Sequence, residues 1–179
     1  MELREECTES RTVYSGKIVT LLEDKVRLPN GKTAGREVVR HPGGVGVLAL
    51  DGDGSVSLVR QFRYPLGREL LEIPAGKLDR SDEDPARAAA RELSEETGLE
   101  ADKWTSLGTL LSSPGFCDEK LYLYLAQGLH RREQHLDEDE FLDVLTVPFE
   151  QLAEKVMSGE VSDGKTVSAV LKTKILLKL

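Results

Sequence analysis

The first third of the chain alternates short apolar segments with turn-forming residues, a pattern typical of β-strands joined by tight turns. The clearest signal is Pro29-Asn30-Gly31-Lys32, because Asn-Gly between two alternating segments favours a hairpin. A second turn-forming tetrapeptide, Asp51-Gly52-Asp53-Gly54, separates two further apolar runs. The pattern predicts strands at residues 17–22, 25–28, 33–39, 45–50 and 56–62.

In the rest of the chain, predicted strands lie before, between and after predicted helices. The strands are expected at residues 69–73, 107–111, 120–125 and 142–147, and the helices at 85–97, 150–157 and 164–178, with Ser162 and Asp163 as capping candidates for the last. This order indicates an α/β or α+β sandwich with a mixed sheet. His41-Pro42-Gly43-Gly44 interrupts the chain, so we expect a small N-terminal antiparallel β-domain over residues 1–42 and the main domain over residues 43–179.

The helix at 85–97 has clear start and stop signals. Asp84 can cap free amides, Pro85 suits the first helical position, and Gly98 favours a stop. A narrow stripe of small or apolar residues is predicted to face the sheet: Ala86, Ala90, Leu93 and Thr97.

Three glutamates of this helix, Glu92, Glu95 and Glu96, emerge together on a face beside that stripe. Like charges at this spacing destabilise a helix by a few tenths of a kcal/mol per pair. A solvated acidic face is one explanation. The other is a divalent-cation site, which is favoured by the neighbouring Leu93, by a pairing partner in Arg91 and by the tight corner Pro74-Ala75-Gly76 upstream.

The overall charge limits the classes of partner. A formal net charge of -8, with 31% charged residues, argues against nucleic acid, whose binding requires a basic face. A phosphate ligand would therefore need a cation or a few placed arginines. The two cysteines, the polar first residues and the absence of a long apolar run predict a cytoplasmic protein with no membrane contact.

The acidic stretch resembles the Nudix box, Gx5Ex7REUxEExGU, in which U is an aliphatic residue. The second half matches without a gap, from Glu83 through Arg91-Glu92-Leu93-Ser94-Glu95-Glu96-Thr97-Gly98-Leu99. Upstream, six residues separate Gly76 from Glu83 where the family pattern has five, so either Asp82 or Glu83 takes the first acidic position. We favour Glu83, because a loop absorbs an extra residue whereas a helix that shifts by one residue turns its face by about 100°.

That resemblance implies an α/β/α sandwich and hydrolysis of a nucleoside diphosphate linked to another moiety. It also implies roles for residues of the box. Glu92 and Glu96 would bind Mg²⁺, with Mn²⁺ as an alternative; Glu95 would be a further ligand or a catalytic group beside them; the Ala75 carbonyl would be another ligand; and Gly76, Glu83 and Arg91 would be structural.

Other stretches are similar to the ADP-ribose pyrophosphatase branch of the family. Pro114 lies 15 residues after Leu99, a placement characteristic of that branch, and the similarity runs from about Val13 to Lys172. The resemblance implies a nucleotide-sugar substrate and a homodimer that exchanges its N-terminal β-domains. It implies substrate contacts for Arg63 with a phosphate, for Arg36 and Glu37 near a ribose or adenine, for Tyr14 as a stacking platform and for Gly115. An ordinary strand-end arginine and a core tyrosine remain alternatives for Arg63 and Tyr14.

The second acidic run, Asp137-Glu138-Asp139-Glu140, reads by itself as a solvated loop. By resemblance it is the catalytic loop of ADP-ribose pyrophosphatases, with Glu138 as the general base and Glu140 as a metal ligand. The three histidines lack ligand spacing and are predicted to be non-catalytic.

The resemblance thus implies a Mg²⁺-dependent hydrolase that converts ADP-ribose to AMP and ribose 5-phosphate. The alternatives within the fold are another nucleotide sugar, a dinucleoside polyphosphate or an oxidised nucleoside triphosphate, since the box does not specify the base or sugar. A nucleotide-sensing module without catalysis is a further alternative, which the intact Glu92, Glu95 and Glu96 disfavour.

Overall fold

A computed structural model of the chain describes residues 2–79, 83–136 and 140–179. Within these ranges the chain forms ten β-strands and three α-helices. It divides into two units. The first comprises the residues up to Gly43 together with Leu111–Lys120, and the second comprises Gly44–Leu110 and Leu121–Leu179.

The first unit contains a three-stranded antiparallel sheet. Its strands, in spatial order, are β1 (Glu6–Ser15), β2 (Thr20–Arg27) and β3 (Thr33–Arg40). The hairpin predicted at Asn30-Gly31 is confirmed, because β2 and β3 pair antiparallel on either side of it. Gly31 has φ 81°, a conformation that favours glycine, and its amide donates to the Leu28 carbonyl over 2.8 Å.

The sequence pattern fails to predict β1. All ten of its residues are exposed and most are polar, so no apolar alternation marks the strand. β1 is instead joined to β2 by ion pairs between residues that face each other across the two strands: Glu9 with Lys25 at 2.7 Å, and Arg11 with Glu23.

The second unit is built on a seven-stranded mixed sheet. Its strands are β4 (Gly44–Leu50), β5 (Ser55–Arg63), β6 (Arg68–Glu72), β7 (Ala75–Lys77), β8 (Leu99–Leu111), β9 (Lys120–Arg131) and β10 (Leu142–Pro148). The spatial order is β10-β5-β4-β9-β8, with β6 beside β5 and β7 beside β4. β4 pairs parallel with β9 and antiparallel with β5 and β7.

Three of the predicted strands differ from their predicted bounds by three residues or more. β2 is continuous where the pattern predicts two strands, because Asp24 at the expected break is buried and accepts a hydrogen bond from Ser10. β8 begins at Leu99 instead of 107, and β9 ends at Arg131 instead of 125. The added residues are mixed in polarity, and some of them, including Leu99, Trp104 and Ala126, pack in the apolar cluster of α1, but polar residues between them interrupt the apolar runs.

The three helices are α1 (Pro85–Thr97), α2 (Phe149–Ser158) and α3 (Gly164–Leu177), each within one residue of its predicted bounds. Both predicted signals of α1 are confirmed: Asp84 accepts a hydrogen bond from the Ala86 amide over 2.9 Å, and Gly98 ends the helix with φ 64°. None of the helices in the described ranges is long and apolar enough to cross a bilayer.

Two apolar clusters lie on opposite faces of β4, which is buried throughout. Val45, Val47 and Ala49 pack with Ala89 and Leu93 of α1 on one face. On the other face Leu48 and Leu50 belong to the cluster that holds α2 and α3. The predicted α/β/α sandwich is therefore confirmed, and β4 places α1 directly beside the corner that follows β6.

Candidate active site

The corner Ile73-Pro74-Ala75 is attached to both the sheet and α1. The Val47 amide donates to the Pro74 carbonyl over 2.8 Å. The Ala75 amide donates to a carboxylate oxygen of Glu96 over 2.9 Å. The corner thus lies against the acidic helix, as the cation-site interpretation requires.

The buried face of α1 differs from the predicted stripe. Ala86 and Ala90 are exposed, and the buried residues are Ala88, Ala89, Glu92, Leu93 and Glu96. The pattern is misleading here because glutamates are normally assigned to the solvent side. Glu92 and Glu96 are part of the packed face itself, with Glu96 only 2% exposed.

Gly76 makes room for Glu92. A Cβ atom at position 76 would overlap the Glu92 carboxyl group, while the backbone of Gly76 pairs with Val45 as ordinary strand. The glycine is therefore required for space and not for an unusual backbone conformation. It lets a carboxylate approach the corner within contact distance.

We expect Gly76→Ala to displace the Glu92 carboxylate while the protein still folds, because the end of a glutamate side chain moves more easily than backbone. Catalytic efficiency should fall about tenfold or more if Glu92 binds the ion. Gly52→Ala is the matched control, since a Cβ there meets no atom within 4 Å. Steady-state kinetics and a thermal melt of both variants test this. Full activity of Gly76→Ala would contradict the assigned role of Glu92.

Arg91 connects four carboxylates around the helix. Its Nη1 donates to Glu92 over 2.8 Å and to Glu95 over 2.9 Å. Its Nη2 lies 3.6 Å from oxygens of both Glu83 and Asp79. Burial opposes ionisation of the guanidinium, but Glu92 and the other carboxylates outweigh it and raise the pKa of Arg91.

Glu83, which the helix register places in the first acidic position, also accepts from the Asp79 amide over 2.8 Å. It thereby ties the residues after β7 to the helix through Arg91. Asp82, the other candidate for that position, lies outside the described residues.

Burial, together with the charges of Glu92 and Glu140, raises the pKa of Glu96 to about 8, against the opposing hydrogen bond from the Ala75 amide. Burial also raises the pKa of Glu92 to about 7, despite Arg91. Glu140 contributes to both shifts, so its charge acts on the two buried carboxylates. In the absence of a cation this cluster disfavours ionisation.

These shifts predict that the metal-free protein loses stability as pH rises. A carboxyl whose pKa is higher in the folded than in the unfolded state contributes stability below its ordinary pKa of 4.5, and that contribution is lost as pH rises through 7 to 8. Urea denaturation in chelator at pH 5 to 8 measures this. Glu96→Gln should flatten the decline, whereas Glu154→Gln, an exposed control on α2, should not. Parallel curves for the wild type and Glu96→Gln would contradict the prediction.

The donor set suits a hard divalent cation. It combines buried carboxylates that repel one another with a backbone corner, and among the described residues Glu96 forms no ion pair with a basic side chain. Among the described residues, no three acidic, histidine or cysteine side chains lie close enough together, in their present positions, to bind one metal ion. Arg91 holds Glu92 and Glu95, and Ala75 holds Glu96. An ion would therefore have to draw these carboxylates from their present partners.

Residues 132–135 lie against the end of α1. The Arg132 amide donates to the Gly98 carbonyl over 2.6 Å, and the His135 amide donates to the Glu95 carbonyl over 3.2 Å. The Gln134 side chain donates to the Glu96 carbonyl. No motif in the sequence indicates this contact. The segment leads towards the second acidic run, in which Glu140 is described and the predicted base Glu138 lies outside the described residues.

Arg63 ends β5 and binds Glu72 at the end of β6. Both its Nε and its Nη2 donate to that carboxylate, each over 2.7 Å. Lys165 of α3 donates to the same carboxylate. Sequence reasoning identified Arg63 but neither Glu72 nor Lys165, because charged residues in predicted core segments carry no signal of their partners.

The other predicted substrate contacts lie in the first unit. Tyr14 is 59% exposed on β1. Arg36 on β3 forms two hydrogen bonds with Glu5, and Glu37 lies opposite Glu23 in the register of β2 and β3. Gly115 lies in the turn after Ser113. Their roles stay predictions.

Known proteins resemble this chain over most of its length. Residues 40–169 match the Nudix domain, and residues 5–39 match the nucleoside diphosphate sugar hydrolase N-terminal domain. An ADP-ribose pyrophosphatase of Bacillus subtilis (strain 168) is 45% identical over 170 residues, 94% of this chain and 91% of that protein. A methanol dehydrogenase activator of Bacillus methanolicus is 43% identical over 168 residues, 93% and 90% of the two chains.

A solved structure, described as the crystal structure of an ADP compounds hydrolase, shares the fold with a TM-score of 0.86 at 24% identity. The similarity covers 99% of this chain and 97% of that one. Together with the Nudix domain match over residues 40–169, the buried glutamates of α1 and the corner before Gly76 agree with the sequence motif. The chain belongs to the Nudix family.

Proposed function

We propose that this protein is a divalent-metal-dependent hydrolase that cleaves the diphosphate of ADP-ribose into AMP and ribose 5-phosphate. The observation that carries the chemistry is the pair of buried carboxylates, Glu92 and Glu96, beside the Ala75 corner. The choice of substrate is supported by the Bacillus subtilis relative named for ADP-ribose.

Glu92 and Glu96 would hold the ion with the Ala75 carbonyl, and Glu95 and Glu140 are the further candidates. Mg²⁺ is the ion we propose, with Mn²⁺ as the alternative, because all these donors are oxygens. When bound, the ion would neutralise charge on the diphosphate and lower the pKa of the attacking water. It would also explain how a protein of net charge -8 could bind an anionic substrate.

The chain's own residues would do the remaining work. Arg63 would bind a phosphate oxygen through the part of its guanidinium that Glu72 leaves available. Glu138 would take the proton from the water as a phosphorus–oxygen bond of the diphosphate breaks. Arg91 and Glu83 would hold the loop and helix together, and Gly76 would leave room for Glu92.

We further propose that residues 1–42 form a β-domain that exchanges between two copies and contributes Tyr14, Arg36 and Glu37 to the nucleotide site. All ten residues of β1 are exposed, including Val13 at 50% and Tyr14 at 59%, which supports a partner surface. Light scattering should give the mass of a dimer, and a monomer at micromolar concentration would contradict this proposal. The free thiols of Cys7 and Cys117 support a reducing, cytoplasmic setting.

A hydrolysis panel tests the substrate. It comprises ADP-ribose, GDP-mannose, diadenosine tetraphosphate and 8-oxo-dGTP, each with Mg²⁺, with Mn²⁺ and with chelator. We expect the highest kcat/KM for ADP-ribose and no turnover in chelator. A preference for the triphosphate would contradict the proposed function, and a preference for GDP-mannose would keep the reaction but change the substrate.

A further inference from the structure

Four charged side chains next to the corner Ile73-Pro74-Ala75 form a network: Arg63, Glu72, Asp163 and Lys165. Glu72 is 1% exposed and accepts from Arg63 at both carboxylate oxygens. Lys165, whose side chain is 8% exposed, donates to the oxygen that also accepts from Nη2 of Arg63. Asp163 lies 3.1 Å from the ammonium of Lys165. Arg63, at 37%, is the most exposed member.

The network is attached to the backbone of the corner by the first turn of α3. Asp163 caps the helix by accepting from the Thr166 amide over 3.0 Å. The Thr166 hydroxyl donates to Asp163 over 2.6 Å and accepts from the Ile73 amide over 2.9 Å. Lys165 is therefore held at a fixed place relative to Glu72 and Ile73, which are consecutive in the chain.

Stabilisation of the fold does not by itself explain why Glu72 and Lys165 are buried as an ion pair. A buried ion pair often contributes no more than apolar residues of similar volume, because desolvation offsets the attraction. A lysine near the amino end of a helix is also unfavourably placed in the field of the helix dipole. Burial would raise the pKa of Glu72, but Arg63 and Lys165 together hold it below its ordinary value. The carboxylate is thus kept charged between two cations.

We infer that Lys165 is a positioning residue, which acts through Glu72 to orient the Arg63 guanidinium towards a substrate phosphate. This inference rests on the proposed function, in which Arg63 contacts the diphosphate. Lys165 and Arg63 share the Glu72 carboxylate, so the Lys165 ammonium fixes one of the two oxygens that hold the guanidinium. The network has two positive and two negative groups and no net charge, so Lys165 acts by placing Arg63, the most exposed member, and not by adding positive charge.

A kinetic cycle tests the coupling. Lys165→Met should raise the KM for ADP-ribose about tenfold with a smaller change in kcat, and Arg63→Met should raise it further. Because Lys165 acts through Arg63, the double variant should be no worse than Arg63→Met. Lys165→Arg should restore most of the lost affinity. Should Lys165→Met fail to fold, Lys165→Gln, which keeps a donor but no charge, gives the same comparison.

Lys174→Met is the matched control. Lys174 lies on the same helix and pairs with a carboxylate too, at 2.7 and 2.9 Å from Glu150, but this pair is more exposed and lies outside the network. Its KM should equal that of the wild type. If the effects of Lys165→Met and Arg63→Met multiply, Lys165 acts independently of Arg63 and the inference is overturned.

A second measurement needs no substrate. The Nε–H of Arg63, which donates to buried Glu72, should give an NMR signal protected from exchange, assigned by its loss in Arg63→Lys. Lys165→Met should accelerate that exchange, and Lys174→Met should leave it unchanged. An unchanged signal in Lys165→Met overturns the inference. If ADP-ribose is not hydrolysed but the signal depends on Lys165, the proposed function fails while the positioning of Arg63 stands.

Discussion

Glu96→Gln is expected to lower kcat about a thousandfold, on the order of 4 kcal/mol of transition-state stabilisation, while the protein remains folded. Glutamine has nearly the same shape, and its carbonyl oxygen can still accept from the Ala75 amide. It cannot supply the negative charge that a divalent ion needs. Glu96 is 2% exposed on the buried face of α1, so another carboxylate could take its place only by displacing packed atoms.

The same substitution should separate stability from activity. Removing a buried ionisable group whose pKa is raised to about 8 should make the metal-free protein more stable at neutral pH. Addition of Mg²⁺ should then stabilise the wild type but barely affect Glu96→Gln. Thermal melts with and without Mg²⁺ measure this, with Glu154→Gln as the control. Normal turnover in Glu96→Gln would contradict the proposal that Glu96 binds the metal.

Glu138→Gln is expected to lose far more kcat than substrate affinity. The proposed base takes a proton only as water attacks, so its loss affects the transition state more than the bound substrate. Glu140, two residues after Glu138 in the sequence, raises the pKa of both Glu92 and Glu96, so the charge of Glu140 acts on the buried carboxylates of the candidate site.

The comparison with Glu140→Gln separates base from ligand. Glu140→Gln should weaken Mg²⁺ dependence, so higher Mg²⁺ should recover part of its activity, whereas Glu138→Gln should not recover. The loss of catalysis is measured as kcat at saturating substrate. The loss of affinity is measured as ADP-ribose binding with Ca²⁺ in place of Mg²⁺. Near-normal kcat in Glu138→Gln would contradict the assignment of Glu138 as the general base and would assign that role to Glu140 or to a glutamate of α1.

Local signals predicted much of the fold. Asp84, Pro85 and Gly98 set the bounds of α1, and Asn30-Gly31 set the hairpin, because each acts on its own few residues. β1 could not be predicted in this way. It is fully exposed, and its ion pairs with β2 depend on residues about 12 to 16 positions away.

The cation chemistry of the candidate site stays a prediction, and its packing was not predicted. The spacing of Glu92, Glu95 and Glu96 favoured a cation site over a solvated acidic face. The buried face of α1 was assigned incorrectly, since Ala86 and Ala90 are exposed while Glu92 and Glu96 are buried. A hydrophobic pattern cannot show that a protein buries its carboxylates. The Glu72–Lys165 contact joins residues 93 positions apart, which no local pattern specifies.

The most direct test is a crystal structure of the protein with Mn²⁺ and a non-hydrolysable ADP-ribose analogue, in which anomalous scattering locates the metal. We predict an anomalous peak bound by Glu92, Glu96 and the Ala75 carbonyl, in contact with the diphosphate, with Arg63 on a phosphate oxygen. An analogue bound without metal at these residues, or a metal bound elsewhere, would contradict the account.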